Sequence, residues 1–282
     1  MTFRTDLALE AHEFSGDCEG VELSQERMGD AAVTRMTITS PVAAKKLLKP
    51  EGSYVTVEMP SFSDSAFLPD ERYEAVSNEI SRMLPEKGTV LVVGLGNSGI
   101  TPDALGPRTA SQVLATRHIS SELKRACGLD KLRSTAVLAP GVLGQTGIEV
   151  RDIIASLCRK IEPVAVIVID ALASRGLGRL GTTVQLSDAG IVPGAGVGND
   201  RPEISMRSLG VPVISVGVPT VVDAATLAHD LGAHKTVPRA QMMIVTPREI
   251  DLLIDRASRL LALAVNSALH PQMDPISLLS AV

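Results

Sequence analysis

The 282-residue chain has no tryptophan, and aromatic residues make up only 2% of it. Platforms for stacking unpaired bases are therefore missing. Cationic excess is missing too: 27 Lys and Arg face 32 Asp and Glu, a net charge of −5. No general positive field is available to hold a phosphate backbone, so no direct nucleic-acid partner is expected. Three cysteines, Cys18, Cys127 and Cys158, are too few and too scattered for a disulfide framework or a C-x-x-C zinc site. They are expected to be buried thiols of a reducing compartment. No apolar run reaches the roughly 18 residues that span a bilayer. The start, MTFRTDLALEAHE, is charged and unlike a signal peptide. The expectation is a soluble, intracellular protein with no membrane partner.

What is present suits a large core, with 45% apolar and 21% charged residues. Three-layer α/β folds run to about 250 residues as one unit, so residues 1–282 are read as a single domain. From residue 89 onward, short β-branched runs alternate with helical patterns, the signature of parallel strands joined by crossover helices. The runs are Val90 to Val93, Ala136 to Leu138, Val164 to Ile169, Val213 to Val216 and Met243 to Val245. The middle ones are continuously apolar, as strands covered on both faces should be. Val33 to Thr39 and Tyr54 to Met59 instead alternate with a period of two, which predicts half-exposed, antiparallel or edge strands. Helices are predicted over Asp70 to Leu84 and Pro247 to Leu269, the second with Thr246 as N-cap and Glu249 at the capping-box position. The predicted fold class is α/β: a three-layer α/β/α sandwich of the phosphorylase/hydrolase-like kind, with a mostly parallel central sheet and extra N-terminal strands.

Val90 to Val93 runs into Gly94-Leu95-Gly96-Asn97-Ser98-Gly99, a literal G-x-G-x-x-G. A dinucleotide site needs a helix starting at the second glycine and a carboxylate about 20 positions on, and this sequence offers neither. Pro102 would fall in the first turns of that helix. A serine nucleophile elbow fails as well, because Ile100 stands where G-x-S-x-G needs glycine. No cofactor-binding residue is assigned. The better local reading starts a helix at Thr101-Pro102-Asp103, with Thr101 as N-cap and Asp103 in the first turn. Val164 to Ile169 ends in Asp170, so a second aspartate is predicted where a buried parallel strand leaves the sheet. Ligands bind outside the carboxyl ends of such strands, and Asp103 and Asp170 can converge there. Each also has an ordinary structural use, at a helix dipole or as an N-cap. Three further loops share that edge. In Ala139 to Glu149, Thr146 and Glu149 match a capping box. The stretch Asp188 to Asp200 is too glycine-rich for a regular element and could cover a cleft, and Gly217 to Asp223 puts Asp223 in the first turn of a helix.

These same loops carry a resemblance. Gly94 to Asn97, Thr101 to Pro107, Ala139 to Glu149, Ile169 to Leu172, Val216 to Ala225, Arg4-Thr5-Asp6-Leu7-Ala8, Gly190 to Asn199 and Val245 to Asp251 together resemble the spore germination protease family, over nearly the whole chain. The resemblance implies an endopeptidase that degrades small acid-soluble spore proteins during germination in the spore cytoplasm. It implies a zymogen with a pro-segment at residues 1–6 and cleavage near the Asp6–Leu7 bond, and a homo-oligomer, by family a tetramer. The implied fold is similar to that of hydrogenase maturation endopeptidases, and the implied catalytic residues are two aspartates that fall on Asp103 and Asp170. One departure is visible: the family is expected to carry a longer insertion after Val221-Val222-Asp223 than the roughly 20 residues that here precede Met243, a short connection.

A carboxylate pair suits peptide hydrolysis because two like charges at close range do not both ionise easily. The ionised partner takes a proton from water, while the protonated one hydrogen-bonds the scissile carbonyl. Backbone N–H groups of Gly94 to Gly96 are candidate oxyanion donors. The competing chemistry is metal-assisted hydrolysis of the hydrogenase-maturation type. His118 lies 15 residues after Asp103, roughly 22 Å along a continuous helix and too far to share one ion. His12, His229, His234 and His270 show no paired ligand spacing and are expected at surface or loop positions, so no metal ligand is assigned. A catalytically inactive binding protein on the same fold is the non-enzymatic alternative.

Overall fold

A computed structural model describes residues 5–64, 72–199, 201–232 and 243–280. In chain order its strands are β1 (Val21–Met28), β2 (Ala31–Ile38), β3 (Gly52–Glu58), β4 (Val90–Gly94), β5 (Thr135–Leu138), β6 (Ala165–Ser174), β7 (Thr183–Ser187), β8 (Val213–Asp223) and β9 (Ile244–Val245). The helices are α1 (Ala8–Ser15), α2 (Pro41–Leu47), α3 (Arg72–Met83), α4 (Leu105–Ala110), α5 (Ser121–Ala126), α6 (Leu143–Thr146), α7 (Val150–Ile161), α8 (Met206–Leu209), α9 (Ala224–Asp230), α10 (Ile250–Leu269) and α11 (Pro275–Ser280). The strands form one mixed sheet in the order β1-β2-β3-β7-β8-β6-β4-β5, with β9 added to the end of β8. From β5 to β8 the strands are parallel. From β8 to β1 every pairing is antiparallel, so the N-terminal strands extend the same sheet.

Side chains leave a strand alternately to its two faces, and the core follows that rule. Val90, Val92, Ile167, Ile169, Val216 and Val218 join the larger cluster, into which Leu253, Leu260 and Leu261 of α10 and Val76 and Ile80 of α3 also pack. Leu91, Val93, Val166 and Val168 face the other way, onto Ile154 and Cys158 of α7. Over β2 and β3 the second face is covered by α1 and α2 through Ala8, Ala43 and Leu47. The result is a three-layer α/β/α sandwich, as predicted.

Several local expectations are corrected. β1 and β7 were not foreseen: β1 is a polar, exposed edge strand, and β7 carries polar Thr183, Gln185 and Ser187 although it is buried throughout. β9 is a two-residue, exposed strand antiparallel to β8, not a member of the parallel set. α10 begins at Ile250 without a side-chain cap, because the Thr246 hydroxyl donates instead to Thr220 O at 3.0 Å. Of the cysteines only Cys158 is buried, and Cys127 is exposed. No helix among the described residues is long and apolar enough to cross a membrane.

Candidate active site

β4 ends at Gly94, opposite Ile169 of β6, but β6 runs on to Ser174 along β8, past a bulge at Leu172/Ala173. Asp170 is therefore the first β6 residue beyond the end of its neighbour, inside a strand rather than where a strand leaves the sheet. The residue is 6% exposed. Its one hydrogen bond among the described residues is accepted from the N–H of Ala171, at 2.9 Å. Burial first, then the charges of Asp103 and Asp6, push its pKa well above the usual carboxylate range.

Asp103 comes to the same place from the loop after β4. Leu95 N–H donates to Ile169 O at 2.8 Å, which carries the chain across the end of β4 towards β6. At Gly96 φ is +115°, and a Cβ there would lie 2.0 Å from Asp103 O. Only glycine fits that approach. The chain then closes back, so that Asn97 N–H donates to Asp103 Oδ2 at 2.7 Å. Thr101–Asp103 is a 3-10 turn without a side-chain cap, so Thr101 is not the expected N-cap. Instead Thr220 of β8 donates to Pro102 O at 2.8 Å and ties the turn down. Gly106 completes the approach, because a Cβ on it would stand 2.2 Å from Leu95 O and 2.5 Å from Ile169 O. α4 thus rests directly on the main chain at the end of β4 and on β6 just before Asp170. Burial raises the Asp103 pKa, opposed by the Asn97 N–H.

Both aspartates line a cleft of about 470 Å³. Its walls are largely apolar, with Leu95, Ile100, Val142, Leu143, Leu172, Val197 and Ile204, and Arg151 and Arg201 stand on it. The loops at Ala139 to Glu149 and Gly190 to Asn199 both contribute, and Gln145 donates to Asn97 Oδ1 at 2.8 Å to join the first of them to the β4 loop. The expected Thr146–Glu149 capping box does not form: Glu149 is the N-cap of α7 with no side-chain bond, and Thr146 turns to its own loop, accepting Ile148 N–H at 3.2 Å. Asp223 ends β8 and caps α9, its Oδ1 accepting Thr226 N–H at 2.8 Å. In the Gly94 to Gly96 loop, Leu95 N–H is taken up by Ile169 O, leaving the Gly96 N–H without an acceptor among the described residues. His12 and His270 are buried rather than on the surface, and His234 lies outside the described residues. Among the described residues no group of three or more His, Cys, Asp or Glu could hold a metal ion.

Sequence reasoning assigned no place in the site to Asp6. It lines the cleft beside both aspartates and pairs with Ala173, three residues beyond Asp170. The Arg4 to Ala8 stretch marked the segment, but nothing in its pattern shows that it crosses to β6.

The family described as germination protease matches residues 4–234. A germination protease from Caldanaerobacter subterraneus subsp. tengcongensis is 42% identical over 306 aligned residues, covering 95% of this chain and 94% of that protein. One from Clostridium perfringens is 40% identical over 313 residues, covering 96% of each. One from Geobacillus sp. is 33% identical over 353 residues, covering 96% of this chain and 94% of that protein. Among solved structures, a [NiFe] hydrogenase maturation protease from Thermococcus kodakarensis is similar with a TM-score of 0.39 and 18% identity, over 68% of this chain and 98% of that one.

Proposed function

Because the chain belongs to the germination protease family, and is therefore a peptidase, we propose that it hydrolyses small acid-soluble spore proteins, with Asp103 and Asp170 as the water-activating pair. The observation that carries this reading is the meeting of two carboxylates, one from the loop after β4 and one from within β6, in one apolar-walled cleft, each with its proton affinity raised by burial. The pair holds one proton between pH values where an isolated carboxylate would have lost it. Its ionised member takes a proton from a water set between the two. Its protonated member donates to the scissile carbonyl, and the free Gly96 N–H is a second donor towards the developing oxyanion. The proton belongs to the pair, so acid and base roles are shared. An extended, flexible substrate suits the cleft, since its apolar side chains can settle on the walls while its main chain crosses the aspartates.

The N-terminal segment fits a zymogen, with residues 1–6 removed at the Asp6–Leu7 bond, because Asp6 occupies the same cleft that a substrate must enter. The protein acts as a homo-oligomer, a tetramer by family, inside the spore. The deciding experiment incubates purified protein with a small acid-soluble spore protein, with and without chelator. Cleavage unaffected by chelator is expected. Activity lost in chelator and restored by zinc or nickel would favour metal-assisted hydrolysis, and binding without cleavage would favour an inactive scaffold.

A further inference from the structure

The Thr5 to Ala8 stretch makes an irregular pairing with the sheet. Asp6 N–H donates to Ala173 O at 2.9 Å, as in a ladder. In return Ala173 N–H would ordinarily meet a main-chain carbonyl, but here it donates to Asp6 Oδ2, at 2.8 Å. The Asp6 carbonyl is thereby turned out of the ladder, and it accepts from Lys49 Nζ at 2.9 Å and from Gln185 Nε2 at 3.0 Å. Just before Lys49, Leu48, at φ +54°, ends α2 in the left-handed conformation, which a non-glycine residue adopts only at a cost.

Among the described residues Lys49 has no carboxylate at ion-pair distance. Its nearest acidic neighbours are committed elsewhere. Asp6 accepts from Ala173 N–H, and Glu10 accepts from Arg175 N–H at 2.7 Å, from Gly176 N–H at 3.0 Å and from the Thr5 hydroxyl. Burial lowers the lysine pKa against the opposing charges of Asp6 and Glu10. The ammonium donates also to Thr5 O at 3.0 Å, and a sheltered ammonium set against two neutral carbonyls recovers only part of its lost hydration. The same two donors become strong when the Asp6 carbonyl oxygen turns into an oxyanion.

We propose that Lys49 and Gln185 form the oxyanion-binding pair for hydrolysis of the Asp6–Leu7 bond, so that the N-terminal segment is held as a built-in first substrate. This role rests on the leader removal read above. A water oxygen adds to the Asp6 carbonyl carbon and gives a proton to the ionised aspartate, and the carbonyl oxygen takes its negative charge against Lys49 and Gln185. The C–N bond then breaks and the Leu7 nitrogen takes a proton from the aspartate pair, leaving an Asp6 α-carboxylate and a Leu7 amine. Thr5 Oγ1 orients the bond by accepting Leu7 N–H at 3.0 Å. Leu7 and Ala8, both 0% exposed, keep the new end anchored.

The test follows intact mass against time for the freshly purified full chain at several protein concentrations, with Asp103→Asn as the uncut control. Wild type should lose residues 1–6 with a first-order rate. Lys49→Met should slow that loss about 100-fold or more, the effect of removing an oxyanion donor. Lys49→Arg, which keeps a charged donor, should stay within about tenfold of wild type. Loss from Lys49→Met at the wild-type rate, with faster trimming of the segment by an added protease, would mean that the lysine only anchors it and would overturn the proposal. If Lys49→Met does not fold, Gln185→Glu decides by the same criterion, since it keeps the acceptor for Ala8 N–H at 2.6 Å but loses the donor. A wild type that leaves the bond intact would instead refute the zymogen reading itself.

Discussion

Replacing Asp170 by asparagine should separate activity from stability. Wild-type Asp170 is 6% exposed and its carboxyl has a single hydrogen bond among the described residues, so the folded protein holds its proton more tightly than the unfolded chain does. A raised folded pKa contributes stability that is fully present below the ordinary carboxylate value of about 3.9, and that stability is lost as pH rises through the folded value. At neutral pH the wild type must therefore either bury a charge or take up a proton when it folds, a cost that asparagine, nearly the same size, does not carry. Every unit by which burial raises a pKa costs folding about 1.4 kcal/mol on the alkaline side. A gain of only 1 kcal/mol moves Tm by about 2–4 °C in a chain of this size class. Asp170→Asn should thus melt at least about 2–4 °C higher than wild type near pH 7.5, and the difference should close towards about pH 4. Turnover should fall by about 10²–10⁴, as general acid–base groups contribute, which is about 3–5 kcal/mol of barrier. Scanning calorimetry at the two pH values and hydrolysis of a spore protein measure both arms. Turnover above about a tenth of wild type would contradict a role for Asp170 in proton transfer. A Tm gain that did not depend on pH would contradict the raised proton affinity of Asp170.

Asp103→Asn should cost a comparable share of turnover, leave the N-terminal segment uncut and lower the proton affinity of Asp170, because Asp103 is the largest charge acting on it after burial. The pH at which wild-type stability declines would then move down in the variant, and an unchanged profile would mean that the two carboxylates do not interact. Gly106→Ala puts a methyl group 2.2 Å from Leu95 O, against main chain that cannot swing aside. A loss of about 1–3 kcal/mol or more in urea unfolding is expected, with kcat down about 100-fold as α4 lifts and Asp103 moves from Asp170. A variant as stable and active as wild type would show that the close contact does not position the site. Spore proteins ordered on saturating DNA should be cut more slowly than free ones, since the cleft needs an extended chain; equal rates would refute that requirement.

Much of this protein follows from its sequence because the controlling physics is local. Parallel strands covered on two faces favour near-continuous apolar runs, which is why Val90 to Val93 and Val164 to Ile169 stand out, and Tyr54 to Met59 alternates because one face differs from the other. The long stripe of α10 is legible for the same reason. Asp170 was visible as a carboxylate directly after an apolar run, and Asp103 as one in the first turn after Thr101-Pro102. Contacts between distant segments were not visible. β1 and β7 carry too many polar side chains to show a pattern, and they are strands only because β2, β3 and β8 offer them hydrogen-bonding partners. That β6 runs on past Asp170 depends on β8 continuing beside it beyond the end of β4. Thr246 leaves its predicted cap for Thr220, 26 residues away in the chain. Above all, Asp6 reaches Ala173 across 167 residues, and Lys49 and Gln185 converge on its carbonyl. Periodicity and capping are rules about neighbours a few residues apart, whereas the cleft is made by main-chain groups that meet only after the sheet has formed.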